Sequence, residues 1–310
     1  MNVDMENPIV CDPVTGVCEI PVVTPNSQKL ETIAAVMKPI RVIYYTDPIC
    51  SSCWGIEPQL RKLKLEYGHL LEFEYRMGGL LPDWSYNSGG ISKPEDVAHH
   101  WDEVSQHYQM PIDGDVWLED PLHSSYPPSI AFKAAQLQDD QKALIFLRRL
   151  RELLFLEKKN ITKWEHVVDA ALVAKLDVNQ LKEDYKNGSA EKLFEEDLEL
   201  GRQLGIRGFP TIIFINEDGY EQLVYGSKPY KDYELAIKRF LPISKKKFYD
   251  NSLNNLMAHY PSLTVKEYAE LSNINFLIAK ETLEWLCSNN QLKKTETKNG
   301  NLYSLRLWNM

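Results

Sequence analysis

The pattern of apolar positions predicts a strand, a helix and a second strand in the first quarter of the chain. Residues 1–38 are rich in proline and follow no sustained period, so we expect an extended arm there. Residues 40–46 are β-branched and aromatic, which is typical of a buried strand. A helix that ends at Gly68 is then indicated by apolar residues at helical spacing, namely Cys53, Ile56, Leu60, Leu63 and Tyr67. A second strand over 70–77 completes the order of a parallel βαβ unit.

A long helical stretch, about 94–205, interrupts this strand–helix pattern. Its predicted helical segments are 128–137, 141–156, 163–174 and 190–204. Strand signals resume at 210–215, and 220–225 returns as a hairpin partner after a turn rich in polar residues and glycine. A helix over 230–241 follows. We therefore predict an α/β domain over 39–241 with an inserted all-helical domain.

Residues 248–310 have the pattern of a small separate domain. Residues 242–247 contain three lysines in succession and are a candidate linker to a unit over 248–310. Three helices are predicted there, over 252–259, 264–271 and 275–288. A hairpin closes the unit, with strands over 292–297 and 301–305 and a predicted type I′ turn at Asn299-Gly300. This order of elements is that of a winged helix.

Length, composition and charge limit the class of protein. The chain has 310 residues, 44% hydrophobic and 25% charged, which is compatible with two folded domains. The net charge of −9 argues against a partner that is nucleic acid or an anionic membrane. There is neither an apolar run of the roughly 20 residues that span a bilayer nor a secretory signal at residues 1–8. We therefore expect a soluble cytoplasmic protein.

The pair Cys50-Ser51-Ser52-Cys53 follows a predicted strand and opens a predicted helix. Cysteines three residues apart on a helix lie on one face, at a spacing that suits a reversible disulfide. If Cys50 is the first helical residue, free amide groups and the positive end of the helix dipole favour its thiolate. Cys50 is then the predicted nucleophile and Cys53 the less exposed resolving thiol, and we expect the pair to lie at an exposed amino end of the helix. The alternatives are two buried cysteines or half of a zinc site.

A proline at the start of a later strand is the second candidate element. In Gly208-Phe209-Pro210-Thr211, the proline costs no ladder hydrogen bond because it precedes the strand. A cis bond before Pro210 would turn the chain sharply and expose the backbone of Phe209 to an extended substrate. Trp54 is a further candidate for substrate contact, although an aromatic residue at this position is more often part of the core.

These motifs resemble the DsbA family of thioredoxin-fold thiol oxidoreductases. The resemblance rests on Asp47-Pro48-Ile49-Cys50-Ser51-Ser52-Cys53-Trp54-Gly55, on the Phe209-Pro210 motif after a helical insertion, and on residues 125–135. It covers about 39–241 and is strongest to the cytoplasmic branch with the FrnE-type proteins and the SpxH-type protease adapters. It implies a thioredoxin fold, Cys50 as nucleophile, Cys53 as resolving cysteine and Pro210 as a cis-proline facing them, with no cofactor. Because Ser51-Ser52 replaces the Pro-His pair of periplasmic members, we expect a weaker oxidant.

Two further cysteines, Cys11 and Cys18, lie in the N-terminal arm on either side of a turn sequence. They are candidates for a local disulfide or an auxiliary redox pair that exchanges electrons with Cys50. With Cys50 and Cys53 they also make a candidate four-thiolate zinc site. The remaining alternative is two idle thiols on a mobile arm.

The predicted function is thiol–disulfide exchange on protein or peptide thiols through Cys50 and Cys53. The alternative is a protease adapter or other protein-binding module of the same fold, with the cysteine pair as redox sensor or zinc ligand. In the C-terminal unit, the third helix presents Glu281, Thr282 and Glu284, where DNA phosphates would require cations. We therefore expect this unit to bind a protein rather than nucleic acid.

Overall fold

The computed structural model describes residues 10–11, 18–19, 38–85 and 92–306. The chain divides into two compact units, residues 1–37 and residues 38–310. In the first unit, strands β1 (Val10–Cys11) and β2 (Cys18–Glu19) pair antiparallel, and the backbone of Cys11 is in register with that of Cys18. None of the helices in the described ranges combines the length and apolar character that crossing a membrane requires.

A four-stranded mixed sheet forms the centre of the second unit. Its strands are β3 (Ile40–Thr46), β4 (Leu71–Met77), β5 (Thr211–Asn216) and β6 (Glu221–Tyr225), in the order β4-β3-β5-β6. The predicted parallel βαβ unit is present, since β3 and β4 pair in parallel, and β5 is antiparallel to both β3 and β6. Val42 and Tyr44 face the main core, whereas Ile43 and Tyr45 pack in a second buried cluster on the other face. Burial on both faces explains why β3 reads as a nearly continuous apolar run.

The helix after β3 is broken into two pieces. Helix α1 spans Ser51–Gly55 and helix α2 spans Glu57–Tyr67, with Ile56 between them. The apolar spacing predicts one helix, but Pro58 has no N–H to donate to the carbonyl of Trp54, and its ring crowds that carbonyl. A short independent turn therefore carries the cysteine pair.

Seven helices lie between β4 and β5 in the described ranges, where the sequence predicts an all-helical insertion. They are α3 (Pro94–Tyr108), α4 (Val116–Glu119), α5 (Tyr126–Gln138), α6 (Asp140–Glu157), α7 (Trp164–Val173), α8 (Val178–Lys186) and α9 (Ser189–Gln203). Helix α5 starts with prolines in its first turn, where the missing N–H groups cost nothing. Helix α10 (Tyr230–Phe240) follows β6, as the sequence predicts.

The C-terminal segment contains the three predicted helices, the predicted hairpin and one additional strand. Its elements are α11 (Leu253–His259), β7 (Ser262–Thr264), α12 (Val265–Ser272), α13 (Phe276–Ser288), β8 (Leu292–Thr297) and β9 (Gly300–Leu305). The short strand β7 pairs with β9, so the sheet order is β7-β9-β8. These elements enclose their own cluster of buried apolar side chains but remain in the same compact unit as the rest of 38–310.

The predicted type I′ turn at the hairpin tip is wrong. Thr297 pairs with Gly300, so Lys298 and Asn299 are the central residues, and neither has the positive φ that this turn requires. Instead, Lys298 binds the carboxylates of Asp102 and Asp115, at 2.8 and 2.6 Å, and Asn299 donates to the backbone of Ile112 at 2.7 Å. Contacts to the helical insertion therefore set the conformation of this tip.

Candidate functional site

Cys50 and Cys53 are joined as a disulfide at the amino end of α1, with their Cα atoms 5.2 Å apart. Cys50 is the N-cap of the helix, one position earlier than the sequence predicts, and its sulfur accepts a hydrogen bond from the Cys53 amide at 3.1 Å. A sulfur at the N-cap lies against the free amide groups of the first turn, which favours its thiolate form once the disulfide opens.

The expectation that the cysteine pair is exposed is wrong. Only 3% of Cys50 is exposed, and Cys53 is completely buried. The strand that precedes the pair, β3, has a neighbouring strand on each side. The amide of Gly78 donates to the carbonyl of Thr46 at 2.8 Å on one side, and the start of β5 is in register with Tyr45 on the other.

The peptide bond between Phe209 and Pro210 is cis, and it lies at the start of β5. Because Tyr45 is in register with Thr211, Pro210 lies beside the end of β3. That strand ends at Thr46, four residues before Cys50. The proline loop and the cysteine pair are thus at the same edge of the sheet. The ring of Phe209 packs on Gly78, where a Cβ atom would lie 1.9 Å from its Cζ.

Asp47, the first residue after β3, is a buried carboxylate that the sequence analysis did not single out as functional. Its side chain is inaccessible and accepts hydrogen bonds from the amides of Ile49 and Leu80, at 3.0 and 2.8 Å, and from the Ser125 hydroxyl at 2.9 Å. Burial raises the pKa of the Asp47 carboxyl to about 6, against the opposing effect of these donors. The Asp-Pro pair after a buried strand was the available signal.

Arg151 joins the helical insertion to the loop that carries the cysteines. It is completely buried and donates to the Thr46 hydroxyl at 2.6 Å, to the carbonyl of Asp47 at 3.2 Å and to the Glu57 carboxylate at 2.6 Å. Arg151 lies on α6 at helical spacing from buried leucines. An arginine on the apolar face of a helix was therefore the feature of the sequence that could have indicated a buried polar contact.

Trp54 does not present a surface to a substrate in this structure, contrary to the prediction. The side chain is completely buried, and its indole N–H donates to the carbonyl of Pro111 at 3.0 Å. Its ring stacks on Phe155 with the centroids 5.5 Å apart. Trp54 therefore fixes the cysteine helix to the helical insertion.

The N-terminal cysteines are described only through their backbone pairing, and their side chains lie outside the described part of the structure. Within residues 38–85 and 92–306, no group of three or more His, Cys, Asp or Glu side chains is arranged to hold a metal ion. Of the four candidate zinc ligands, Cys50 and Cys53 are joined as a disulfide here. The auxiliary redox pair of Cys11 and Cys18 stays a prediction.

Comparison with known proteins agrees with this architecture. The family model described as thioredoxin matches residues 44–235. A protein of Halalkalibacterium halodurans named ClpXP adapter protein SpxH is 33% identical over 96% of this chain and 97% of its own length. The chain belongs to the thioredoxin superfamily, in its SpxH branch.

Two further matches extend the comparison. The SpxH protein of Shouchella clausii is 31% identical, over 89% of this chain and 90% of its own. Among solved structures, the cytosolic disulfide reductase DsbM of Pseudomonas aeruginosa superposes with a TM-score of 0.53. It is 22% identical and covers 66% of this chain and all of its own. That likeness supports the DsbA-like fold, and the SpxH relatives extend the match into the C-terminal segment.

Proposed function

We propose that this protein is an adapter that binds a client protein and presents it to a ClpXP-type protease. The observation that carries the proposal is the match to SpxH adapters over nearly the whole of both chains, including the C-terminal segment. The oxidoreductase neighbour covers only two thirds of the chain. The protease-adapter alternative from the sequence analysis is therefore better supported than a thiol–disulfide exchange enzyme.

The enclosure of the disulfide agrees with this proposal. A thiol that exchanges with protein substrates needs an accessible sulfur, whereas 3% of Cys50 and none of Cys53 is exposed. A buried disulfide at a helix terminus instead suits a structural or sensing role, in which its redox state changes the stability of the surrounding fold.

The C-terminal segment offers a surface for a protein partner. Large apolar side chains on α13 are exposed, namely Leu277 (66%), Ile278 (55%) and Trp285 (62%). Their spacing of seven and eight residues puts them on one stripe of the helix. A stripe with tryptophan is typical of interface cores, and it agrees with the expectation of a protein partner.

Thiol–disulfide exchange is the second candidate function. It is favoured by the N-cap position of Cys50 and by the cis-proline at the same edge of the sheet. The two candidates differ in their need for Cys50: exchange requires its sulfur, whereas client delivery does not.

The test uses the full chain, a Cys50→Ser variant and a photo-crosslinker placed at Trp285 to capture a client from cell extract. The purified client is then incubated with ClpXP with and without each protein. We expect both wild type and Cys50→Ser to accelerate client degradation. The adapter proposal fails if neither accelerates it. Loss of insulin-reducing activity in Cys50→Ser, measured alongside, would then favour the exchange enzyme.

A further inference from the structure

A groove of about 610 Å³ lies between α5 and α9, outside the cysteine site. Its floor is apolar and includes Tyr126, Ile130, Phe194 and Leu198. Tyr126 and Phe194 pack edge to face with their centroids 4.9 Å apart, so the floor is held rigidly. A preformed apolar groove of this size suits an aromatic or aliphatic side chain of a partner.

One rim of the groove carries an excess of negative charge. Glu191, Glu195 and Glu199 follow one another at four-residue spacing along α9. Glu199 is paired with Arg202 at 2.6 Å, but no ion pair in the described ranges includes Glu191 or Glu195. Glu196 is also on the lining, so three glutamates and Lys192 line the groove without an ion pair to any other described residue. The rim therefore favours a positively charged ligand.

The spacing of the rim carboxylates matches an extended peptide. Residues four apart on a helix are separated by about 6 Å along its axis. Alternate residues of an extended chain are separated by nearly the same distance, about 6.6 Å, and point to the same side. Lysine or arginine at alternate positions of a bound segment would thus meet Glu191 and Glu195 in turn.

Gly78 and Gly79 lie between the groove and the proline loop. Gly79 has φ of +64°, and a Cβ atom there would lie 2.9 Å from Tyr126 Cε1 and 3.0 Å from Leu198 Cδ2. The preceding residue, Gly78, is covered by the ring of Phe209. A segment bound in the groove therefore runs toward the edge of the sheet where the cysteines lie.

We propose that this groove binds an extended segment of a client protein that has an apolar anchor and basic residues at alternate positions. The inference rests on the proposed adapter function and names the chemistry of its client. The glutamates on the rim argue against nucleic acid and anionic lipid as occupants, because their carboxylates would repel the phosphate groups of both.

The test measures fluorescence anisotropy of two labelled peptides with the full chain. The first peptide has a central phenylalanine with a lysine on each side, and leucine lies next to the lysines. The second peptide has glutamate in place of both lysines. We expect the lysine peptide to bind at least about tenfold more tightly, with the preference falling as salt is raised. The double substitution Glu191→Lys and Glu195→Lys should weaken its binding by at least about tenfold.

The control is Glu183→Lys, a reversal of an exposed charge on α8 outside the groove lining, which should leave binding unchanged. Circular dichroism checks that all variants are folded. Equal binding of both peptides, or indifference to the double reversal, overturns the proposal. Because the assay contains no protease, its failure removes the groove as client site and leaves the adapter proposal to its own test.

Discussion

The guanidinium group of Arg148 lies 4.3 Å from the ring centroid of Trp54, the residue directly after Cys53. The same guanidinium donates two hydrogen bonds to the Glu267 carboxylate on α12, at 2.7 and 3.1 Å. Burial alone would raise the pKa of Glu267, but Arg148 and Arg61 outweigh it and hold that pKa below its usual range. Arg148, whose side chain is 12% exposed, thus connects the disulfide helix with the C-terminal segment.

We expect Glu267→Gln to destabilise the fold by about 3 kcal/mol, because it leaves the guanidinium groups of Arg148 and Arg61 largely shielded from water without their shared carboxylate. Glutamine retains the hydrogen-bonding atom of the capping box with Thr264, so the loss reports the charge rather than the cap. Urea unfolding of the full chain measures the change in the free energy of unfolding.

The matched control is Glu270→Gln on the same helix. Glu270 pairs with Lys62 at 3.3 Å and has a side chain that is 23% exposed, so its loss should cost less than about 1 kcal/mol. Equal destabilisation by the two variants would show that the ion pairs of Glu267 contribute no more to stability than the more exposed pair of Glu270.

Asp47 should make the stability fall as the pH rises from about 4 to about 6. The pKa of its carboxyl is raised by burial from 3.8 to about 6, so the folded state holds a proton that the unfolded chain has released. The stabilising effect is complete below the unfolded pKa and is lost as the pH passes the folded pKa, for a total of about 3 kcal/mol.

The comparison of wild type with Asp47→Asn isolates this effect, since the other titrating groups are common to both. Asparagine also replaces one acceptor oxygen with a donor group: Oδ2 accepts from both Leu80 and Ser125, and Oδ1 accepts from Ile49. The stability of the variant is therefore offset at every pH, and the slope is the relevant quantity. Parallel curves of unfolding free energy between pH 3.5 and 7 would contradict the assignment.

Most helices and strands were predictable from the local sequence, whereas contacts between distant segments were not. The apolar run of β3, the position of the cysteine pair and the strand after Pro210 follow from local periodicity and turn chemistry. The bonds of Asp47 with Ser125 and of Arg148 with Glu267 join residues about 80 and 120 positions apart, which no periodic pattern encodes. Burial of Cys50 depends on such contacts too, and for that reason its exposure was predicted incorrectly.

The contact between Gly78 and Phe209 should be visible as non-additive stability. Gly78→Ala places a Cβ atom where the ring of Phe209 now lies, so we expect a loss of about 2 kcal/mol. Phe209→Leu alone should also destabilise, by about 1 kcal/mol. In the double variant the smaller side chain makes room for the methyl group, so the two costs should not add. A double variant that loses the full sum would indicate that the ring and the glycine do not restrict each other.

Burial of the cysteine pair should slow its chemical modification. After reduction with a phosphine, we expect iodoacetamide to alkylate Cys50 at least about tenfold more slowly in the folded protein than in urea, because the reagent must wait for local opening. Cys53, which has no exposed surface, should be slower still. Peptide mapping by mass spectrometry separates both sites from Cys287, which is partly exposed and serves as the internal control. Alkylation of Cys50 at the same rate in folded and unfolded protein would mean that reduction exposes the Cys50 sulfur. That result would favour thiol–disulfide exchange as the function.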